Sequence, residues 1–568
     1  MASCDFDTSS ENSADFILRY SRRSIENLRE STGDRCIDFI NNDFAIIHVP
    51  LEQIINLSIA AHSYSAIPKL YGLLDTTAVE ESGISAAQHR PVLNADGHGV
   101  LLGIIDTGID YTSPLFIRAD GQSRILELWD QTLPTDQATF TQEAITAALR
   151  AEDPYGLVPS QDTNGHGTFM AGIAAGSRLE TPVSFVGAAP ETLLGIVKLR
   201  PAKPYLRDFF LIRSGAEAYQ ENDIMTAIRY LIHLADQHQL PLVIYLGVGT
   251  AQGSHDGTSP LGLQLSSYNG YPGLAIVTGA GNETGWQHHY FATLAANQPY
   301  EDVELLVGED ETGFCAELWA TMPELFTVGF VSPSGEVISR ISLALGQEAV
   351  IPFRLEATRI TINYVNYEAG AGTQLIFLRF ASPTPGIWHI RVYPSQEMGG
   401  SFHIWLPMHG FLSEQTTFLR PEPDTTITDP GNVMTTVTAA CYDHVNGRID
   451  IHSSRGFTRL GQVKPDIAAP GVNVQGPLLP LKNSTGSEAD LRFGRLTGTS
   501  VSAALTAGAM ADLFSWAIVD GNAPTLSGTA AAAMLIRGAS RSSAHAYPDR
   551  SWGYGTLDLY QAFRQSGE

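Results

Sequence analysis

Three short segments each place a reactive side chain beside glycines. Asp106 follows the apolar run Leu101-Leu-Gly-Ile-Ile105 and opens Asp106-Thr-Gly-Ile-Asp110, while His166 sits in Asn164-Gly-His-Gly-Thr-Phe-Met-Ala-Gly172. Ser500 lies in Thr497-Gly-Thr-Ser-Val-Ser-Ala-Ala504, at the head of an Ala-rich helical stretch. A serine hydroxyl is a weak nucleophile until an imidazole takes its proton, and a carboxylate fixes the tautomer of that imidazole and stabilises its cation. Asp106, His166 and Ser500 therefore offer orienter, base and nucleophile for acyl transfer. Carbonyl addition also needs donors for the oxyanion. Asn282, in Val277-Thr-Gly-Ala-Gly-Asn-Glu-Thr284, is the side-chain candidate, with the Ser500 backbone amide as its partner. Losing one such donor costs about 2.7 to 4 kcal/mol of transition-state stabilisation. No Gly-x-Ser-x-Gly elbow occurs, which disfavours the α/β-hydrolase layout and its Ser-Asp/Glu-His order.

These groups need a scaffold that ends strands and begins helices at fixed points. From Leu101 onward, short apolar runs (Val100–Ile105, Leu194–Val197, Pro241–Leu246, Leu274–Val277) alternate with helical patterns at Thr141–Arg150, Asp223–His238 and Ser500–Trp516. Strands apolar on both faces and alternating with helices predict a parallel sheet covered on both sides, an α/β domain. Between Leu294 and Pro423 the helical signal gives way to alternating segments such as Arg359–Tyr364, Leu375–Phe380 and Trp388–Val392, with Gly/Pro-rich turns. That pattern predicts an inserted β-sandwich. The α/β pattern resumes at Val433. Ahead of it all, a helix-like stretch Ser13–Ser31, a strand-like run Phe44–Val49 and a second helical pattern Leu51–Ser63 read as a small α+β unit. The expected division is 1–88, 89–293, 294–423 and 424–568.

The 568 residues exceed one small domain, and 43% hydrophobic with 17% charged residues describes a globular chain. The net charge of −26 has the wrong sign for nucleic acid or anionic lipid, so neither is expected as a partner. Cys4, Cys36, Cys315 and Cys441 are scattered, and the N-terminus lacks a basic, then apolar, leader, so a cytoplasmic location is expected. Val501–Val519 is the most membrane-like stretch, but it carries Asp512 and barely reaches spanning length; it reads as a buried core helix rather than a membrane insertion.

The segments around Asp106, His166, Asn282 and Ser500, in this order, resemble the subtilisin-like serine proteases from about Gly97 to Ala562. The resemblance narrows to the Csp-type clostridial germination proteases through Ile67-Pro-Lys-Leu-Tyr-Gly-Leu73, Asp106-Thr-Gly-Ile-Asp-Tyr111, Gly253-Ser-His-Asp-Gly257 and the β insert. It implies a jelly-roll insert and a prodomain that is cut but stays bound. It also implies limited proteolysis of the precursor of a spore cortex-lytic hydrolase during germination. By motif, Asp106, His166 and Ser500 take the triad roles and Asn282 that of the oxyanion asparagine. Gly247-Val248-Gly249 falls where the family has Ser-Leu-Gly, the strand whose backbone holds substrate as an added strand. Ala504-Leu505 stands where many members have Pro-His.

The expected partners are thus a protein or peptide substrate and the chain's own cleaved prodomain. Ser82-Gly-Ile-Ser-Ala-Ala-Gln88 reads as an extended tail that threads the cleft, with cleavage after Gln88 and Ala87 or Leu74 as alternatives. His98 is a decoy in a turn, and His255 and Asp256 read as structural in a loop of turn formers. Asp110 and Asp162 flank the reactive segments, but the ligand-rich loop of a calcium site is missing, so neither metal nor other cofactor is expected. A non-catalytic regulator of the same architecture is the competing reading; the intact triad text speaks against it.

Overall fold

The computed structural model describes residues 6–20, 36–54, 57–73, 82, 84–88, 93, 95–180, 184–342, 348–395, 398–480 and 491–565. The N-terminal unit is built on three antiparallel strands, β1 (Ser13–Arg19), β2 (Ile37–Phe39) and β3 (Phe44–Pro50), with β3 in the centre. β3 realises the expected strand. The helix expected over Ser13–Ser31 is instead a strand as far as Arg19, because Ser13–Arg19 pairs along its whole length with Phe44–Pro50. Residues 21–35 lie outside the described residues. Such a partner, distant in sequence, outweighs local helical spacing. Among the described residues of the helical pattern Leu51–Ser63, a 3₁₀ turn at Leu51–Gln53 is the only helical segment.

Two short elements follow. β4 (Leu70–Leu73) leaves this unit and joins strands of the main domain, and α1 (Ile84–Gln88) packs against the C-terminal end of the chain. The segment Ser82–Gln88 expected to be extended is therefore helical over most of its length. Ile84 and Ala87, three residues apart, are both buried, which a helix achieves by placing them on one face.

The main sheet is assembled from β5 (Leu101–Asp106), β6 (Ile125–Asp130), β7 (Thr139–Thr141), β8 (Leu193–Lys198), β10 (Leu242–Leu246) and β12 (Leu274–Gly279). It is completed after the insert by β13 (Val437–Asp443), β14 (Arg448–Ile449) and β15 (Ile467–Pro470). Its order is β14–β13–β12–β10–β5–β8–β6–β7, with β15 also on β13; the β6–β7 and β13–β14 pairs are antiparallel and the rest parallel. Every residue of β5, β10 and β12 is buried, as a sheet covered on both faces requires. Two short strands beside the sheet, β9 (Tyr219–Gln220) and β11 (Val248–Gly249), flank β4.

Alternation along the strands sends side chains to two apolar layers. Leu102, Ile104, Val243, Tyr245 and Val277 share a core with α2 (Gln142–Ala148), α3 (His166–Ala175) and α6 (Thr499–Phe514). Leu101, Ile105, Leu242, Ile244 and Leu246 share the other with α4 (Glu221–His238) and α5 (Pro260–Ser266). All sixteen residues of α6 are buried. The Thr499–Val519 stretch has a mean hydropathy of 1.4, but 89% of its most apolar window lies inside the protein, the position of a core helix.

Between His289 and Phe418 the chain forms two antiparallel sheets, of six and five strands, closed over a core that includes Phe314, Phe326, Phe380 and Trp388. The β-sandwich is anchored through a second apolar cluster. There Trp319, Phe377 and Trp405 of the sandwich join Tyr64 and Leu70 of the N-terminal segment and Phe209 and Phe210 of the α/β domain. The expected fold class, a covered α/β sheet with an N-terminal unit and an inserted sandwich, is the one the molecule adopts.

Candidate active site

Asp106 ends β5, so its carboxylate emerges at the C-terminal edge of the parallel sheet, where open α/β sheets bind ligands. His166 is the first residue of α3. The two meet with His166 Nδ1 2.8 Å from both carboxylate oxygens of Asp106, and both side chains are buried. The Asp-Thr-Gly turn and the start of α3 interlock to make this possible. Thr107 N–H donates to Asp106 Oδ1 at 2.7 Å, and Gly167 N–H donates to Thr107 Oγ1 at 2.9 Å. A Cβ on Gly167 would stand 2.1 Å from the Gly108 carbonyl oxygen, so only glycine permits the approach.

Asp162, considered from sequence only as a cation ligand, holds this turn together. Its carboxylate accepts from Thr107 Oγ1 (3.0 Å), Asn164 N (3.1 Å), Gly165 N (2.8 Å), Thr168 N (3.0 Å) and Thr168 Oγ1 (2.7 Å). It thereby satisfies amides at the head of α3, as an N-cap carboxylate does. The signal was present in the text as an acid preceding Asn164-Gly165. Asp110 is occupied by Thr112, and burial raises its pKa. No group of three or more potential metal ligands occurs among the described residues.

Ser500 is the second residue of α6 and is fully buried. Asn282 follows β12, and its side-chain oxygen accepts from Thr499 N–H at 3.1 Å, while Gly281 N–H donates to Thr499 Oγ1 at 3.1 Å. Anchoring Oδ1 on the residue before Ser500 leaves Nδ2 as the donor side of the amide. Tyr245, on β10, lies with its buried hydroxyl beside both Asp106 and Ser500; burial first, then the Asp106 charge, pushes its pKa well up. Sequence reading passed over it as one apolar residue in a strand.

Gly247, Val248 and Gly249 run along one side of a groove already filled. β4 pairs antiparallel with β11 (Leu73 opposite Val248, Gly72 opposite Gly249) and with β9 (Leu70 opposite Gln220, Tyr71 opposite Tyr219). The strand threaded here is thus Leu70–Leu73. Gln88 lies elsewhere, at the end of α1. His98 also lies apart from Asp106, bonded to Asp96 (2.7 Å) and Asp520 (3.1 Å). The His255 ring nitrogens face the carbonyl oxygens of Ile427 (2.8 Å) and Ala251 (3.0 Å), and the ring stacks on Trp405 at 4.0 Å. Burial pushes its pKa down to about 4.

The sequence profile of the subtilase family matches residues 97–342 and 417–555. The C5a peptidase of Streptococcus pyogenes serotype M18 (strain MGAS8232) is 25% identical over 378 residues, covering 61% of this chain and 29% of that protein. The chain thus spans less than a third of the length of the curated relatives it matches. The structure of the CspB protease of Clostridium perfringens superposes with a TM-score of 0.74 at 28% identity, covering 85% of this chain and 95% of that one. At 85% coverage the structural likeness reaches into the inserted sandwich, and the profile spans well over half of the chain, on both sides of the insert and across Asp106, His166, Asn282 and Ser500. The chain belongs to the subtilase family.

Proposed function

We propose that the chain is a serine endopeptidase performing limited proteolysis through an acyl-enzyme. The observation that carries this reading is the buried Asp106–His166 pair at 2.8 Å, built at the edge of the sheet from which α6 presents Ser500. In the reaction, His166 removes the Ser500 proton as Oγ adds to the scissile carbonyl, and Asp106 stabilises the imidazolium. Asn282 Nδ2 and the Ser500 amide donate to the oxyanion. His166 then gives its proton to the leaving amine, and water releases the acyl group by the same path in reverse. The substrate backbone lies between β9 and β11, as β4 does.

Residues 1–88 are the prodomain in this reading, cut by the enzyme itself and retained in the groove. Gln88 is the favoured bond from sequence, and cutting there requires α1 to unwind. Of the alternatives, Ala87 lies on the same helix and Leu74 lies outside the described residues. The mass of the released fragment tells the three apart. The Csp resemblance, and the likeness to the CspB protease, extend the proposal to activation of a spore cortex-lytic precursor inside the cell or spore during germination. The reading is tested by labelling the protein with a fluorophosphonate while following processing by intact mass. Labelling at Ser500 and processing should both vanish in Ser500→Ala, and His166→Ala should lose processing as fully, because triad members act as a unit. Unchanged processing in Ser500→Ala would rule out self-cleavage. Absence of labelling even after prodomain removal would favour the non-catalytic regulator.

A further inference from the structure

The strand in the groove carries a side chain whose polar end is read by a built site. Tyr71, at the centre of β4, is fully buried in the apolar layer that contains Tyr219, Val248, Leu261 and Val433. Its hydroxyl does not end among carbons: it donates to Asp429 Oδ2 at 3.4 Å. Asp429 is itself 4% exposed, and its second donor is Ser259 Oγ at 2.5 Å. Ser259 is fixed in turn, because its Oγ accepts from Gly262 N–H at 2.9 Å as it caps α5. The Asp429 backbone is pinned beside the groove strand by paired hydrogen bonds with Thr250, the residue after β11. A carboxyl thus stands at a fixed height at the end of an apolar slot, with a tyrosine hydroxyl delivered to it by the threaded strand.

We propose that Asp429 is a specificity-determining residue that selects tyrosine over phenylalanine on the strand bound in the groove, so that protein substrates present tyrosine at the position Tyr71 fills. The inference rests on the reading of β4 as occupying the substrate groove, with the cut after Leu74, so a released fragment whose mass ends at Ala87 or Gln88 would overturn it. A buried acceptor left without one of its donors loses its hydrogen bond and recovers no water, so the pocket penalises phenylalanine although the ring would fit. It also refuses phosphotyrosine, whose negative charge would face the Asp429 carboxyl with Glu221 and Asp256 nearby.

The test follows self-processing of the full chain by intact mass in four proteins: wild type, Tyr71→Phe, Asp429→Leu and the double variant. Tyr71→Phe should slow processing about 10- to 100-fold, the range of a hydrogen bond to a charged or ionisable group. Asp429→Leu should slow the tyrosine-bearing chain too, and Tyr71→Phe in that background should restore rather than compound the loss. This reversal of preference is a result that damage to folding does not produce. Processing of Tyr71→Phe at the wild-type rate would overturn the inference while leaving the protease reading intact. A wild-type chain that neither processes nor labels at Ser500 would overturn both. If Asp429→Leu fails to fold, the rate of Tyr71→Phe alone decides.

Discussion

Gly247 has no side chain because its neighbours occupy the space one would need. A Cβ built there stands 2.1 Å from Asp106 Oδ2 and 2.9 Å from the Tyr245 hydroxyl. Where the subtilisin-like proteases it resembles commonly have serine, the space is taken by Asp106 and by Tyr245, whose hydroxyl lies beside both Asp106 and Ser500. Restoring the serine by Gly247→Ser should therefore push the Asp106 carboxylate off its 2.8 Å contacts with His166. Displacements of this size at reacting groups cost about 100-fold in rate. The expected outcome is a chain that folds, by circular dichroism, but processes about 100-fold more slowly. Processing at the wild-type rate would show that the Tyr245–Asp106 packing yields without consequence.

At the scale of elements, α6 carries a cost in its last turn. Asp512 is fully buried there, and neither of its carboxyl oxygens has a hydrogen-bond partner among the described residues. Burial, then the nearby Asp96 charge, pushes its pKa well above the ordinary value. The unfolded chain ionises this group above about pH 4 whereas the folded one keeps its proton, so its contribution to stability falls as pH rises from there. Asp512→Leu should raise the melting temperature of the transition that includes α6 by removing a penalty on the order of 1 to 3 kcal/mol, and the gain should be larger at pH 7 than at pH 4. A lower melting temperature in the variant would mean that Asp512 is paid for by a contact its packing conceals. The elements themselves were unequally legible. Asp106 at a strand end and His166 and Ser500 at helix starts could be read because glycines and apolar runs mark such junctions locally. The β-sandwich could be read because alternation persists over many strands. What escaped depends on partners remote in the chain: Ser13–Arg19 is a strand only because Phe44–Pro50 lies beside it, and Leu70–Leu73 enters the groove only because β9 and β11 flank it. No local pattern in Ile84–Gln88 said that its buried Ile84 and Ala87 would prefer α7 (Leu559–Gln565) to the groove.

Across the whole molecule, the N-terminal unit is locked to the rest by buried polar contacts rather than by apolar area alone. Tyr64 donates to both carboxylate oxygens of Glu317 in the sandwich at 2.7 Å, Lys69 lies 3.8 Å from Glu221, and Asp15 of β1 lies 2.9 Å from Lys203 and accepts from Gln220 at 2.9 Å. Asp15 is held from its own side by His48 of β3, its register partner, at 2.7 Å, and His48 also lies 3.3 Å from Asp38. Burial alone works against the charge on His48, but the hydrogen bonds to Asp15 and Asp38 outweigh it and hold the imidazolium's pKa up to about 9. A histidine raised in this way stabilises fully below its unfolded value of about 6.5 and ceases to do so as pH rises through about 9; the span corresponds to as much as about 3 kcal/mol. The N-terminal unit should therefore loosen on the alkaline side, where Lys203 and the more distant Arg200 are left to answer the Asp15 charge. Hydrogen exchange, corrected for its intrinsic pH dependence, should show protection of β1 and β3 falling between pH 6.5 and 9 while β5 keeps its own. His48→Gln, which retains a donor without a titrating charge, should be weaker at pH 6.5 and flat across the interval. Equal pH dependence in wild type and His48→Gln would show that this pair does not set the hold of the N-terminal unit.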